Sequence, residues 1–435
     1  MRLPIILPRL AEQKWDCHGC TDCCRKLVVH LTRRDRDEID RQGWGGRIEG
    51  PAYIRLGRQH VLNHRPGGGC VFLSKAGRCR IHEEFGSSAK PLACQLFPFS
   101  LHRDGEALAA SIRFDCPSAC GNRGSPMPSH KGEISRIAGL LHESEPGVFG
   151  PVVGPPRLND GRTLSPRELD HLVLHVERIL ARRSHSLVDR LLCLLSLIDT
   201  LDTARLADVR EGRFEEFLKL LQSDQAGFTA DSTLGSLPPP SARQQRLLRM
   251  AVFSHCEHIT LAQAGASIFC AFRYRIGQLR KARLLARGIG RIPPLIEGRG
   301  SATFEALVEV PPHQDLTPGD RDELLIRYLR SRLLGGTAFG AGYYGWSVLD
   351  GLRSLLLTVP VMFWLARYLA FTDGRSAYSL PDWRQAAGLV DRHAGRAREL
   401  GSTSARMRVR YLSRDQGLAR LLLAEWRFFA PQAPA

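Results

Sequence analysis

The sequence contains few lysines and no apolar run long enough to cross a bilayer. Of its 61 basic residues only 7 are lysines, so arginine carries most of the formal net charge of +17. The longest apolar run, at residues 355–366, is shorter than the ~18 residues that a membrane span requires. It predicts a buried core helix with a kink near Pro360. We therefore expect no membrane span, no targeting segment and a cytoplasmic location.

The basic residues also lack the pattern that a nucleic-acid-binding face would show. They are spread along the whole chain, whereas a clustered basic face is the better sign of such binding. Nucleic acid is therefore not favoured as a partner. Binding through the excess arginine stays a third hypothesis, behind an enzyme and an interaction module.

The composition predicts a folded protein in which cysteine has a chemical role. The chain has 435 residues, of which 43% are hydrophobic and 24% charged, which is typical of two or three globular domains. A chain of this length can bury a core without covalent staples, so its 12 cysteines are not needed for stability. In a reducing compartment such cysteines are typical of metal or redox sites.

The cysteines and the hydrophobic periodicity divide the chain into three parts. Residues 1–125 form a cysteine-cluster region of short strands and helices, and residues 126–165 read as a linker rich in Gly, Pro and Ser. Residues 166–435 carry apolar residues at spacings of three and four, which predicts a helical bundle. The expected fold is mainly α, with a small α+β, metal-stapled N-terminal part.

Four cysteines within eight residues predict a metal site near the N-terminus. The segment WDCHGCTDCC places them in the order C-x2-C-x2-C-C, and two intervening residues let a loop turn both sulfurs toward one metal. Gly19 supplies the backbone freedom for that turn. Neighbouring side chains tend to point apart, so the adjacent pair leaves open whether one thiol serves a second site. The four residues are Cys17, Cys20, Cys23 and Cys24.

Five further cysteines follow before residue 121, and local patterns suggest how some of them approach one another. Thr32 and Asp35 form a capping-box pattern at the start of a helix, and Asp104–Gly105 suits a type I′ hairpin turn that returns Cys116 toward Cys94. Nine thiolates exceed the need of one tetrahedral ion. Two zinc ions, one cluster with one zinc, or one cluster with a redox pair all remain open.

These residues resemble the zinc- or iron-chelating CxxCxxCC cysteine-cluster family, whose long members include flagellin lysine N-methylases. The resemblance rests on four ordered pieces that span about residues 15–120. It implies metal ligation by the four cysteines of the first cluster and by Cys70, Cys79 and Cys94. Cys116, in the Asp-Cys-Pro end of the hairpin, is added to this set, whereas the sequence does not assign Cys120 a role.

The resemblance implies an iron–sulfur or zinc cofactor, with a [4Fe–4S] cluster favoured. It also implies a protein lysine N-methyltransferase that uses S-adenosylmethionine and acts on a protein substrate, although no catalytic or cofactor-binding residue can be assigned. The alternative is a non-catalytic, zinc-stapled module whose helical part binds another protein.

Overall fold

Short strands and helices occupy the cysteine-rich part of the chain, and longer helices follow it. We analysed a computed structural model, which describes residues 4–426 except 9, 11, 67, 151–153, 155, 207, 225–236, 257–267 and 297. The mainly α fold with a small α+β part is confirmed. The chain forms two units, Met1–Val152 with His258–Gln278 and Val153–Glu257 with Leu279–Ala435.

Three small sheets form the β part of the first unit. A parallel pairing joins β1 to β7, whose other edge pairs with β6, and the antiparallel order β3-β5-β4 makes a second sheet. A third pairing joins β2 to β8. The strands are β1 (Ile5–Ile6), β2 (Lys14–Trp15), β3 (His30–Leu31), β4 (Tyr53–Leu56), β5 (Gln59–Leu62), β6 (Phe99–Asp104), β7 (Ala107–Ile112) and β8 (Ser125–Pro126).

Short helices connect these strands and share an apolar core with them. One apolar core cluster contains the buried residues Leu31, Ile39, Phe72 and Ile81. Strand β3, which contains Leu31, therefore packs with the helices that contain Ile39 and Ile81. The helices of this unit are α1 (Asp22–Lys26), α2 (Arg33–Arg41), α3 (Arg80–Phe85), α4 (Leu92–Leu96), α5 (Pro117–Cys120) and α6 (Lys131–Ser144).

Two local signals in the sequence have definite structural outcomes. The capping box at Thr32 is confirmed, because its hydroxyl accepts from the backbone of Asp35 and the Asp35 carboxylate accepts from the backbone of Thr32. The β6–β7 hairpin is also formed, but its turn is not the predicted one. Asp104 pairs with Ala107, so the turn residues are Gly105 and Glu106, and of these only Gly105 has a positive φ. Glycine in the first turn position is typical of a type II′ turn.

The predicted linker at residues 126–165 contains regular structure. Helix α6 lies within it and buries Ile134, Ile137 and Leu141 on one face. Ile137 and Leu141 pack against Leu92 of α4. The spacing of these apolar residues therefore outweighs the glycine and proline on either side of the helix.

Helices make up most of the second unit. It also contains the short antiparallel pair β9 (Arg291–Ile292) and β10 (Ala302–Thr303). The helices that follow α6 are α7 (Pro166–Ala181), α8 (Leu187–Thr203), α9 (Glu211–Asp224), α10 (Ala242–Cys256), α11 (Ile268–Arg287), α12 (Phe304–Val308), α13 (Pro318–Leu334), α14 (Val348–Thr372), α15 (Leu380–His393), α16 (Thr403–Ser413) and α17 (Gly417–Trp426).

Helix α14 forms the centre of the second unit. By length and composition it is long and apolar enough to span a membrane, but 94% of its most apolar window is buried by the rest of the protein. It packs against α8, α10, α15, α16 and α17. The predicted buried core helix is therefore present, and Pro360 lies inside it.

One glycine allows α14 to pack closely against the loop before it. A Cβ at Gly351 would overlap the carbonyl oxygen of Ala338, and it would also crowd Phe339. We expect Gly351→Ala to lower the free energy of unfolding by about 1–3 kcal/mol because the loop must shift. Gly212→Ala, whose Cβ would meet open space in α9 of the same unit, is the control. Equal stability of the two variants in chemical denaturation would contradict this packing.

Candidate metal centre

Eight cysteines from four separate chain segments line one cavity in the first unit. Its volume is about 700 Å³. These eight are the residues predicted as metal ligands, namely Cys17, Cys20, Cys23, Cys24, Cys70, Cys79, Cys94 and Cys116. Cys120 is buried and is not among the lining residues. The fold therefore brings the eight thiols together, although their role as ligands stays a prediction.

The first cysteine segment bends sharply before it enters α1. Gly19 and Thr21 both have a positive φ, which turns the loop between Cys17 and the helix. Cys17 and Cys20 lie on this loop and are exposed, whereas Cys23 and Cys24 lie in α1 and are half-buried. The two helical sulfurs are 3.9 Å apart, and both side chains line the same cavity.

Backbone hydrogen bonds hold the second cysteine segment against the first. The amide of Cys70 donates to the carbonyl of Cys24 over 2.7 Å. Cys70 is buried, and a bridge between Leu73 and Cys79 then brings the next cysteine to the start of α3. The apolar core that contains Val71 and Phe72 packs directly behind these residues. The cavity wall is therefore organised by backbone pairing and apolar packing.

Two further elements bring Cys94 and Cys116 to the same cavity. Cys94 lies in α4, whose first backbone amide, that of Leu92, donates to the Asp35 carboxylate over 2.9 Å. The β6–β7 hairpin then returns the chain, and Cys116 precedes the first residue of α5. The predicted approach of Cys116 to Cys94 across the hairpin thus agrees with the position of both residues in the cavity wall.

Burial changes the acidity of the inner thiols. It raises the pKa of Cys70 to about 12, and the neighbouring thiols of Cys79 and Cys23 add to this effect. Burial raises the pKa of Cys116 to about 11 and that of Cys94 well above its usual value. The pKa of Cys23 is also raised, mainly by its hydrogen bond with Cys24 and further by burial. Thiolates at these positions therefore require a nearby cation, which a metal ion supplies.

Several lining residues other than cysteine can bind or balance charge. His82, a nitrogen donor that follows Cys79 by three residues in the sequence, lines the cavity, and the structure adds His64, Lys90 and Glu133. Burial lowers the pKa of His64, which favours the neutral, metal-binding form of the imidazole. No sequence motif marks His64, Lys90 and Glu133 as site residues. They reach the cavity only because the fold packs separate chain segments together.

The cysteines surround a space that is wider than the coordination sphere of one ion. Across the residues that the structure describes, no three His, Cys, Asp or Glu side chains are close enough to hold a single metal. Two thiolates on one tetrahedral zinc stand roughly 3.8 Å apart, given a zinc–sulfur bond of ~2.3 Å. The sulfurs of Cys23 and Cys24, which are 3.9 Å apart, meet this spacing. The donor set fits thiophilic metals, and the cavity is large enough for a polynuclear group.

A family model matches this part of the chain. Residues 16–121 match the CxxCxxCC family, whose description reads "Putative zinc- or iron-chelating domain". The match covers about a quarter of the chain and includes all eight lining cysteines. Searches of curated proteins and of solved structures found no match. The match and the cavity together support a zinc- or iron-chelating cysteine cluster in the first unit.

Close backbone packing fixes the exposed loop that carries Cys17. The amide of Asp16 donates to the carbonyl of Arg123 over 2.9 Å, and the Asp16 carboxylate accepts from the amide of Ser125 over 2.8 Å. Gly124, with φ +111°, lies between these contacts, and a Cβ there would overlap the Asp16 backbone. The far end of the cysteine region therefore holds its beginning in place.

We expect Gly124→Ala to release the Cys17 loop and to weaken metal retention. Its backbone conformation and the overlap with Asp16 should cost about 1–3 kcal/mol of stability in the first unit. Gly132→Ala in α6 is the control, because its Cβ would meet nothing within 4 Å. Thermal unfolding and metal analysis of both variants test this, and equal metal content and melting temperature would contradict it.

Proposed function

We propose that the first unit binds an iron–sulfur cluster, with [4Fe–4S] favoured, and that the protein is an S-adenosylmethionine-dependent protein lysine N-methyltransferase. The observation that carries the metal part is the set of eight cysteines around one cavity of about 700 Å³. The methyltransferase activity is the more specific part of the proposal. Its support is the similarity of the cysteine motifs to those of the flagellin lysine N-methylases.

The placement of the thiols favours a cluster over a single ion. A tetrahedral zinc site and a [4Fe–4S] cluster each use four thiolates, so the eight cysteines that line this cavity exceed the need of either, and their spacing decides. Iron–sulfur clusters place metal and inorganic sulfide between their thiolates, so the ligands stand farther apart than around one ion. Cys94 interacts electrostatically with Cys70, Cys23 and Cys79, and Cys70 interacts with Cys79 and Cys23. We assign these four residues to the cluster.

Metal analysis after anaerobic purification tests the cluster. We expect a brown protein with a broad absorption band near ~400 nm and several irons and sulfides per chain. Cys70→Ser should remove most of the band and most of the iron, because it replaces a buried thiol of the wall. Cys193→Ala is the control, since Cys193 is a buried cysteine of α8 in the second unit.

Two results would contradict the iron–sulfur proposal. One is a colourless wild-type protein that carries one or two zinc ions. The other is an equal loss of iron in the Cys70 and Cys193 variants, since this would attribute the loss to general unfolding. Circular dichroism of each variant distinguishes local from global effects.

The groups that line the cavity suit the polar ends of S-adenosylmethionine. Lys90 can pair with its carboxylate, whereas Glu83 and Glu133 can accept from its amino group. In a simple transfer, neutral lysine Nζ forms the new N–C bond while the electron pair of the C–S bond returns to sulfur. The products are methyl-lysine, S-adenosylhomocysteine and a proton.

Calorimetry tests cofactor binding independently of the unknown protein substrate. We expect the anaerobically purified wild type to bind S-adenosylmethionine, and Lys90→Ala to weaken this binding by ~10-fold through loss of a charge-assisted contact. Lys75→Ala is the control, because this lysine lies outside the cavity wall. Absence of binding by iron-loaded wild type would exclude the methyltransferase and leave the metal centre unaffected.

One distance favours a second candidate, a zinc-stapled module without catalysis. The 3.9 Å separation of the Cys23 and Cys24 sulfurs fits two ligands of one tetrahedral zinc. In that case zinc fixes the fold of the first unit and the helical unit binds another protein. Stoichiometric zinc in a colourless sample, with no cofactor binding, is the result that selects this candidate.

A further inference from the structure

An arginine-lined groove lies between two helices of the second unit. Its volume is about 780 Å³, and it lies between α10 and the part of α11 that follows Leu279. Its lining includes five arginines, namely Arg243, Arg246, Arg249, Arg283 and Arg287. Among the residues that the structure describes, this lining contains no acidic residue. The groove therefore concentrates positive charge that the rest of the described lining does not neutralise.

Two of the arginines are fixed by contacts within the protein. Arg249 donates from Nε to the carbonyl of Leu285 over 3.0 Å and from Nη2 to that of Ala286 over 3.1 Å, which joins α10 to the end of α11. The guanidinium of Arg243 lies 4.0 Å from the centre of the Tyr411 ring. These contacts hold the groove open in one geometry, which lowers the entropy cost of binding a guest.

The other three arginines are available to a guest. Arg246, Arg283 and Arg287 are exposed, and none of them forms an ion pair with a described carboxylate. Arg246 and Arg243 lie one turn apart on α10, and Arg283 and Arg287 lie one turn apart on α11. Charge thus follows both rims of the groove, over roughly 9 Å on α10 as far as Arg249 and roughly 6 Å on α11, given a rise of ~1.5 Å per residue.

Apolar side chains also line the groove. Met250, Ala282 and Ala286 line it, and Leu279, which is 59% exposed, lies at one end. Small side chains let a guest backbone approach closely. No aromatic side chain belongs to the described lining, so a single-stranded nucleic acid would find no surface for base stacking.

We propose that this groove binds an acidic peptide segment of a partner protein, about two helical turns long, with apolar residues on one face. Glutamates or aspartates of the guest would pair with the arginines of the two rims, and its apolar side chains would cover Leu279 and Met250. This proposal does not depend on the metal centre, because all its residues belong to the second unit.

Fluorescence anisotropy on the full-length protein tests the groove. The probe is a labelled 14-residue alanine-based peptide with four leucines on one helical face and five flanking glutamates. We expect Arg246→Gln combined with Arg283→Gln to weaken its binding at least ~10-fold, because two charge-assisted contacts are lost. Arg280→Gln is the control, since Arg280 is exposed on α11 but does not line the groove. It should change the affinity less than ~2-fold.

Four comparison probes make the result specific. Replacing the glutamates of the peptide by glutamine, or its leucines by alanine, should each weaken binding to the wild type. Equal binding of the probe by the double variant and by Arg280→Gln would overturn the proposal. So would a groove-dependent affinity for oligo(U) or for phosphatidylserine vesicles that exceeds the affinity for the acidic peptide. Circular dichroism of both variants verifies that the helices are intact.

Discussion

The structure of the first unit depends on how thiols can be removed from water. Burial raises the pKa of Cys70, Cys94 and Cys116, so these side chains are neutral unless a cation lies among them. Metal ions bind thiolates, and ligand binding in such a region therefore shares its free energy with folding. The backbone and the core also hold the thiols in place. The Cys70 amide donates a hydrogen bond to the Cys24 carbonyl, and the apolar core packs behind these residues.

Local signals in the sequence predicted local structure well, whereas contacts between distant segments were predictable only where cysteines marked them. The capping box at Thr32 and the β6–β7 hairpin depend on residues a few positions apart. The turn centre shifted by one residue because strand pairing, which extends to Asp104, overrode the preference for an Asp-Gly turn. The packing of Gly124 on Asp16 joins positions more than a hundred residues apart, and no pattern in one sequence reports such an approach.

Charge shows the same limit in the second unit. Along the chain the arginines are scattered, and this pattern predicts no basic stripe. In the fold, Arg246 of α10 and Arg283 of α11 lie on opposite rims of one groove. Each helix shows only a short basic face at helical spacing, and the concentration of charge arises from their packing. A linear reading of charge therefore underestimates the field at sites that two helices build together.

Charge alone does not decide between zinc and iron in the cysteine cavity. Four thiolates around a zinc ion and four thiolates around an oxidised four-iron cluster carry the same net negative charge. The positive charge of Lys90 partly offsets the raised pKa of Cys23 and Cys94, so it would favour both metal groups. The space that the thiolates enclose does differ between them. Zinc needs sulfurs in close contact, which the inner thiols do not form as a set, whereas a cluster fills the volume between separated ligands. The width of the cavity, and not its electrostatics, is therefore the structural argument for iron.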